Sequence, residues 1–175
     1  MKKFSLEVPY VISKFARHEE IKEKLLELIG KASAINIYDR ENNVYISRTD
    51  WLLKGTARRE YFEFINPMMT EHISPIMKGL DHDGFIVGSY WFQQYLKDDT
   101  HNWHQHRGAS WSNVYYVELG DGAPRTTFRN PVNREEVVTP EVQEGDVLTM
   151  PGFIWHCSQP NRSEGRKTVY VFNVR

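Results

Sequence analysis

Between Phe85 and Val174 the chain offers six short stretches of strand-forming residues: Phe85–Leu96, Trp111–Glu118, Thr126–Arg129, Glu135–Thr139, Val147–Met150 and Lys167–Val174. Turn formers separate them: Asp121-Gly122, Pro131, Glu144-Gly145-Asp146 and Pro151-Gly152. Short strands so closely spaced predict a sandwich or jelly roll.

The first half reads differently. Tyr10–Phe15 and Asn43–Arg48 are strand candidates, the second rich in β-branched and aromatic residues. Glu19–Lys31 is an amphipathic helix with Ile21, Leu25, Leu28 and Ile29 on one stripe. A second helical region is capped by Thr56, with Tyr61, Phe62 and Ile65 as its apolar face. Asn66-Pro67 then predicts a fresh start, with asparagine as N-cap and proline at N1. Pro75 is expected to kink that helix and Gly79 to end it. The fold class expected is therefore mainly β with N-terminal helices, an α+β chain around a jelly-roll core.

The 175 residues suit a single domain, 1–83 supplying helical support and outer strands and 84–175 the core. With 40% hydrophobic and 26% charged residues the chain reads as globular. A net charge of -1 gives no general drive toward nucleic acid or anionic membrane. No stretch is apolar enough to span a bilayer, and the first residues lack the core of a signal peptide. Cys157 is the single cysteine, so no intramolecular disulfide forms. A reducing cytoplasm is the expected location.

Seven histidines occur, three of them within His101-Asn102-Trp103-His104-Gln105-His106. On a strand, residues i and i+2 point the same way, so His104 and His106 can present two imidazoles to one ion. His156 lies fifty residues further, at the start of another strand, and a jelly roll brings such strands together at its open end. An H-x-H pair by itself is weak, since histidines also cluster at surfaces and in hydrogen-bonded cores. Asp81-His82-Asp83 is a rival metal motif, but it sits where a solvated turn is expected.

The surrounding register is more specific. His104-Gln105-His106-Arg107-Gly108-Ala109-Ser110-Trp111-Ser112-Asn113-Val114-Tyr115-Tyr116-Val117 resembles the H-x-H-P-G-S-x-x-S-G-V-x-Y-V signature of small 2-oxoglutarate/iron(II) oxygenases. These are related to the prolyl 4-hydroxylases and occur in bacteria and marine phages. Glu144–His156 resembles the family's G-x-L-x-x-F-P-x-x-x-x-H, and Arg166–Asn173 its R-x-S-x-x-F-N ending. The resemblance covers residues 84–175, and Thr49-Asp50-Trp51 is similar to a T-D-W further upstream. Arg107, Ala109 and Asn113 depart from the pattern, where the family has Pro, Ser and Gly.

The resemblance implies a double-stranded β-helix with iron(II) on His104, His106 and His156. It implies 2-oxoglutarate as cosubstrate, dioxygen as oxidant and hydroxylation of a substrate C–H bond. Arg166, ten residues after His156, is implied to hold the distal carboxylate, with Thr168 on the same face. Tyr116 is implied to reach that carboxylate, and Gln93, in a run similar to W-x-N, the keto acid. Trp103, Trp111 and Trp155 flank the histidines and are candidate walls of a substrate pocket. The substrate class implied is peptidyl proline, or proline or another small amino acid.

The wider superfamily binds iron with two histidines and one carboxylate. Here His106 stands at the carboxylate position. Iron(II), dianionic cosubstrate, one carboxylate and one arginine sum to zero charge; a neutral imidazole leaves +1. Three ligand sets are open: the three histidines, a carboxylate from Asp98, Asp99 or Glu118, or His101 replacing one of the pair. Rival functions are a cupin-like three-histidine enzyme without 2-oxoglutarate, a non-catalytic jelly-roll module, and a nucleic-acid demethylase. The near-neutral charge speaks against the last.

Overall fold

A computed structural model describes residues 7–53 and 58–175. In chain order the elements are β1 (Val11–Lys14), α1 (His18–Lys31), β2 (Ile35–Asp39), β3 (Val44–Thr49), α2 (Glu60–Gly79), β4 (Val87–Tyr95), β5 (Thr100–His104), β6 (Trp111–Leu119), β7 (Thr126–Arg129), β8 (Val137–Val138), β9 (Asp146–Pro151), β10 (Trp155–Ser158) and β11 (Lys167–Val174). Neither helix is long and apolar enough to cross a membrane.

The strands pair antiparallel in one path, β1-β9-β6-β11-β4-β3-β5-β10-β7-β8, with β2 hydrogen-bonded to β3. The path curls over on itself. One wall is β1-β9-β6-β11-β4; the other is β5-β10-β7-β8, with β3 joining them.

Alternation along the strands divides the core in two. Trp91 and Tyr95 of β4, Val114 and Tyr116 of β6, Leu148 and Met150 of β9, and Val169 and Val171 of β11 point between the walls. Tyr115, Val117, Tyr170 and Phe172 point the other way, against the helices. A bulge skips Val117 in the β6–β11 register, so Val169 faces Tyr116 while Thr168 faces Glu118.

α1 buries Ile21, Leu25 and Ile29 as its spacing predicts. α2 departs from expectation. It is one helix over Glu60–Gly79, and Asn66-Pro67 starts nothing new. Tyr61, Ile65, Met69, Ile73 and Met77 form one buried stripe that runs through both prolines. Each such side chain contributes about 1.5–3 kcal/mol by burial. That outweighs about 3 kcal/mol for a proline in a helix interior. Pro67 and Pro75 both lie on the exposed side, where water can satisfy the carbonyls they orphan. The Thr56 cap falls outside the described residues.

The start of α2 is fixed by Asp50. Its buried carboxylate accepts from Tyr61 Oη at 2.5 Å and from the Phe92 backbone N–H at 3.0 Å, and Arg59 Nε lies 3.1 Å away. Asp50→Ala strands the arginine and two donors, so a loss of about 3–5 kcal/mol is expected. Chemical denaturation of the variant measures it, and a change under 1 kcal/mol contradicts this anchoring role.

Candidate metal and cosubstrate site

Three histidines converge at one end of the curled sheet. His104 closes β5 and lies directly opposite His156 of β10. His106 is past the end of β5, in a loop rather than on the strand. Its N–H donates to Gly152 O at 2.9 Å, and its own carbonyl accepts from Ala109 N at 3.1 Å. Gly152 is required there, because a Cβ would sit 2.3 Å from Ala109 O. Ring centroids are 4.2 Å apart for His104–His156, 4.8 Å for His106–His156 and 5.4 Å for His104–His106. One nitrogen from each ring lies within 4.8 Å of the others.

The hydrogen bonds set the tautomers. His104 Nδ1 donates to Asn102 O at 2.8 Å and His156 Nδ1 to Ile154 O at 2.9 Å. His106 Nδ1 donates to Asn173 Oδ1 at 2.8 Å, with Ser112 Oγ at 2.5 Å. Asn173 Nδ2 donates to Ser89 Oγ at 3.0 Å, which fixes its amide oxygen toward His106. Each ring therefore presents an unprotonated Nε2, the arrangement of a metal-ready histidine. Burial, and then the neighbouring rings, push His156 well below the ordinary imidazole value, and burial takes His104 down to about 4. Both stay neutral at pH 7, as ligands must be.

No carboxylate joins them among the described residues. Asp99 accepts from the backbone N–H groups of Ser47 and Leu96, at 2.9 and 2.8 Å. Asp98 pairs with Arg162 at 2.6 Å and Glu118 with Arg166 at 2.6 Å. His101 stacks on His104 at 3.8 Å between centroids, with its Nδ1 3.4 Å from Gln93 Nε2.

Behind the histidines lies an inner cavity of about 30 Å³, lined by Gln93, Tyr95, Thr126, Ser158 and Lys167 among others. Gln93 Oε1 accepts from Tyr95 Oη at 2.9 Å, and Tyr116 Oη donates to Thr126 Oγ1 at 2.7 Å. Both residues therefore turn toward this interior. Arg166 and Thr168 do not, which corrects the sequence expectation. Arg166 Nε and Nη2 donate to the two Glu118 carboxylate oxygens at 2.6 and 3.1 Å, on a half-exposed side chain. Thr168 Oγ1 donates to the same carboxylate at 2.9 Å. Alternation puts Lys167, not its neighbours, between the walls.

Lys167 is buried, and Nζ has one hydrogen bond, to Ser158 Oγ at 2.9 Å. Its other surroundings are the rings of Tyr95 and Tyr116, 4.9 and 6.0 Å from Nζ. Burial pushes this ammonium down to about 7. Burying an ammonium without an acid beside it is costly, and a strongly shifted group lining a cavity is a candidate functional residue.

In front of the histidines opens a groove of about 900 Å³, walled by Trp51, Trp91, Tyr90 and Phe62 and bordered by Arg107. Trp51 lies 5.4 Å from His101, centroid to centroid. Trp103, Trp111 and Trp155 are not its walls, a second correction. Trp103 carries Arg129 on its face at 3.9 Å, Trp155 is paired with Arg129 in register, and Trp111 packs against the helix-side core. Cys157 is buried and burial pushes its thiol up to about 11, so it is a poor nucleophile. Asp81 makes a left-handed turn at φ 53°, as a solvated turn would.

A curled antiparallel sheet with three facing imidazoles at its mouth defines a double-stranded β-helix with a candidate metal site. Residues 89–173 match the model of a family described as "Putative 2OG-Fe(II) oxygenase", and the fold is that of the 2-oxoglutarate/iron(II) oxygenases. No curated protein sequence matches it. The fold is similar to that of a 2OG-Fe(II) oxygenase-family oxidoreductase from Burkholderia pseudomallei, with a TM-score of 0.72 and 12% identity over 94% of this chain and 84% of that one. It is also similar to the viral collagen prolyl hydroxylase of Paramecium bursaria Chlorella virus-1 (TM-score 0.66, 13% identity, 95% of each chain). A Pseudomonas putida prolyl-4-hydroxylase gives a TM-score of 0.64 at 13% identity over 96% of this chain and 92% of that one.

Proposed function

We propose that the chain is a 2-oxoglutarate- and iron(II)-dependent hydroxylase of a small-molecule or peptide substrate. His104, His106 and His156 are its metal ligands, and Lys167 takes the distal-carboxylate role that the sequence assigns to Arg166. The observation that carries this reading is the unpaired ammonium of Lys167 in the cavity behind three metal-ready imidazoles. A three-histidine enzyme that dispenses with a keto acid gives that buried cation no anion.

Iron(II), 2-oxoglutarate and dioxygen, when bound, supply the oxidation: the keto acid is decarboxylated to succinate and a substrate C–H bond is hydroxylated. The chain supplies the rest. Asn102 O, Ile154 O and Asn173 Oδ1 hold the protons of the three rings on Nδ1. Lys167 and its tyrosine neighbours orient the cosubstrate from the inside, and Gln93 lies between them and His101. The inner cavity, about 30 Å³, is smaller than a dicarboxylate, so side chains lining it must shift when the cosubstrate enters.

Anaerobic titration with iron(II) and then 2-oxoglutarate tests the reading. A metal-to-ligand charge-transfer band is expected, and succinate on admission of oxygen. A protein that shows neither is a non-catalytic module. Asn173→Ala frees His106 to rotate and is expected to weaken metal binding about 10- to 100-fold. Competition against a chelating dye reads this, and an unchanged affinity removes Asn173 from the site.

A further inference from the structure

Among the described residues the outer groove carries three arginines against one acid, and two of the arginines are engaged. Arg58 donates to both carboxylate oxygens of Glu63, at 2.6 to 2.9 Å. Arg59 is consumed by the backbone carbonyls of Tyr90, Asp50 and Leu53 and by the Asp50 carboxylate. Arg107 is exposed and has neither an ion pair nor a hydrogen-bond acceptor among the described residues. It directly follows His106, in the loop that Gly152 pins, and lines the same groove as His101, His104 and His106. The related signature has proline at this position, so the cation belongs to this chain and not to the common pattern.

A second donor on the same lining is also unspent. Trp91 is 7% exposed, and its indole N–H is buried without an acceptor. Leaving such a donor unpaired costs about 1–3 kcal/mol. Two neighbouring amides have their donors engaged: Gln105 donates to Phe153 O, and Asn173 serves His106 and Ser89. The groove thus offers donors and positive charge, while its one acid is already paired. A carboxylate finds two unpaired donors on this lining, Arg107 and Trp91, and Trp51 can cover a carbon body.

We propose that the substrate of this site presents a carboxylate to Arg107 and the Trp91 indole N–H, with the oxidised carbon a few bonds from it. This deepens the hydroxylase reading and rests on it. The carboxylate can come from a free organic or amino acid, or from an acidic side chain or C-terminus of a peptide.

The test uses protein loaded with zinc(II), a redox-inert stand-in, and saturated with 2-oxoglutarate to block the inner cavity. Ligand-observed NMR is run on matched acid and amide pairs: phenylacetate and phenylacetamide, isovalerate and isovaleramide, N-acetyl amino acids and their amides, and capped peptides with Asp or Asn. In at least one pair the acid is expected to bind 10-fold or more tightly than the amide. Arg107→Gln removes that preference, Arg107→Lys restores part of it, and Trp91→Phe weakens the acid alone. The pair that responds identifies the source of the carboxylate. No acid preference in any pair, or a preference that survives Arg107→Gln, overturns the proposal. Zinc and 2-oxoglutarate binding, measured on the same samples, report separately on the hydroxylase reading and on folding of the variants.

Discussion

Lys167→Met is expected to weaken 2-oxoglutarate binding about 10- to 150-fold, the equivalent of a charge-assisted hydrogen bond of about 1.5–3 kcal/mol. Arg166→Ala, at the residue the sequence favours, is expected to change it less than about threefold, because Arg166 is turned outward onto Glu118. Anaerobic calorimetry compares the two. The reverse ranking overturns the assignment. The same methionine should make the ligand-free protein more stable, since it replaces a desolvated cation with an apolar chain of similar length. A gain in stability with a loss of binding separates a functional lysine from a structural one.

The position of this ammonium near pH 7 adds a signature. Burial lowers it to about 7, and a bound carboxylate favours the charged form. Above pH 7 the ligand-free site is therefore largely neutral, and binding must take up a proton. Affinity should fall as pH rises from 7, by up to about tenfold per unit. The folding contribution has its own sign. A base whose folded value lies below its unfolded value costs stability below the folded value, and that cost fades as pH rises toward the unfolded one. Lys167→Met should thus stabilise most at and below pH 7. A calorimetric heat at pH 8 that does not vary with the buffer's ionisation enthalpy excludes the proton uptake.

His156→Ala is the second large effect. It removes the central ring, which approaches both of the others and is wholly enclosed. Metal affinity is expected to drop at least about 100-fold, beyond the 10- to 100-fold of losing an outer-shell partner. His101→Ala is expected to leave metal binding within about threefold, because the ring stacks on His104 without joining the cluster. Equilibrium dialysis with iron(II) decides between them. Retention of metal by His156→Ala together with its loss in His101→Ala sinks the three-histidine assignment.

Much of this fold is legible in the residues. Thr126–Arg129 and Lys167–Val174 are strands with the bounds expected, and the helix at α1 differs by one residue. The misses have physical causes. Ile35-Asn36-Ile37-Tyr38-Asp39 forms β2, a strand absent from the expectation although its residues alternate as a strand should. At α2, a local start signal lost to a buried stripe of five side chains. Glu135–Thr139 shrinks to Val137–Val138 because this edge strand has a neighbour only in β7.

The site was half legible for a related reason. Backbone carbonyls steer two of the histidines, and Asn173 is a distant amide that only the fold delivers. The choice between Arg166 and Lys167 is one of register. β11 is buried on both faces, so its side chains show no apolar-polar alternation from which the interior face can be read. A slip of one residue exchanges every side chain between faces. Arginine and lysine stand adjacent there, and the motif that the sequence resembles points to the arginine while the strand register turns the lysine inward.

β11 carries Asn173 near one end and Lys167 at the other, with β4 and β6 paired along it on both sides. Six residues of extended chain span about 20 Å, and a strand clamped between two neighbours does not stretch. The element ties the two ends of the site together: the backbone that carries the amide steering His106 also carries the lysine of the inner cavity. On the proposed reading, a shift of β11 by one residue is expected to disturb the metal ligands and the cosubstrate pocket at once.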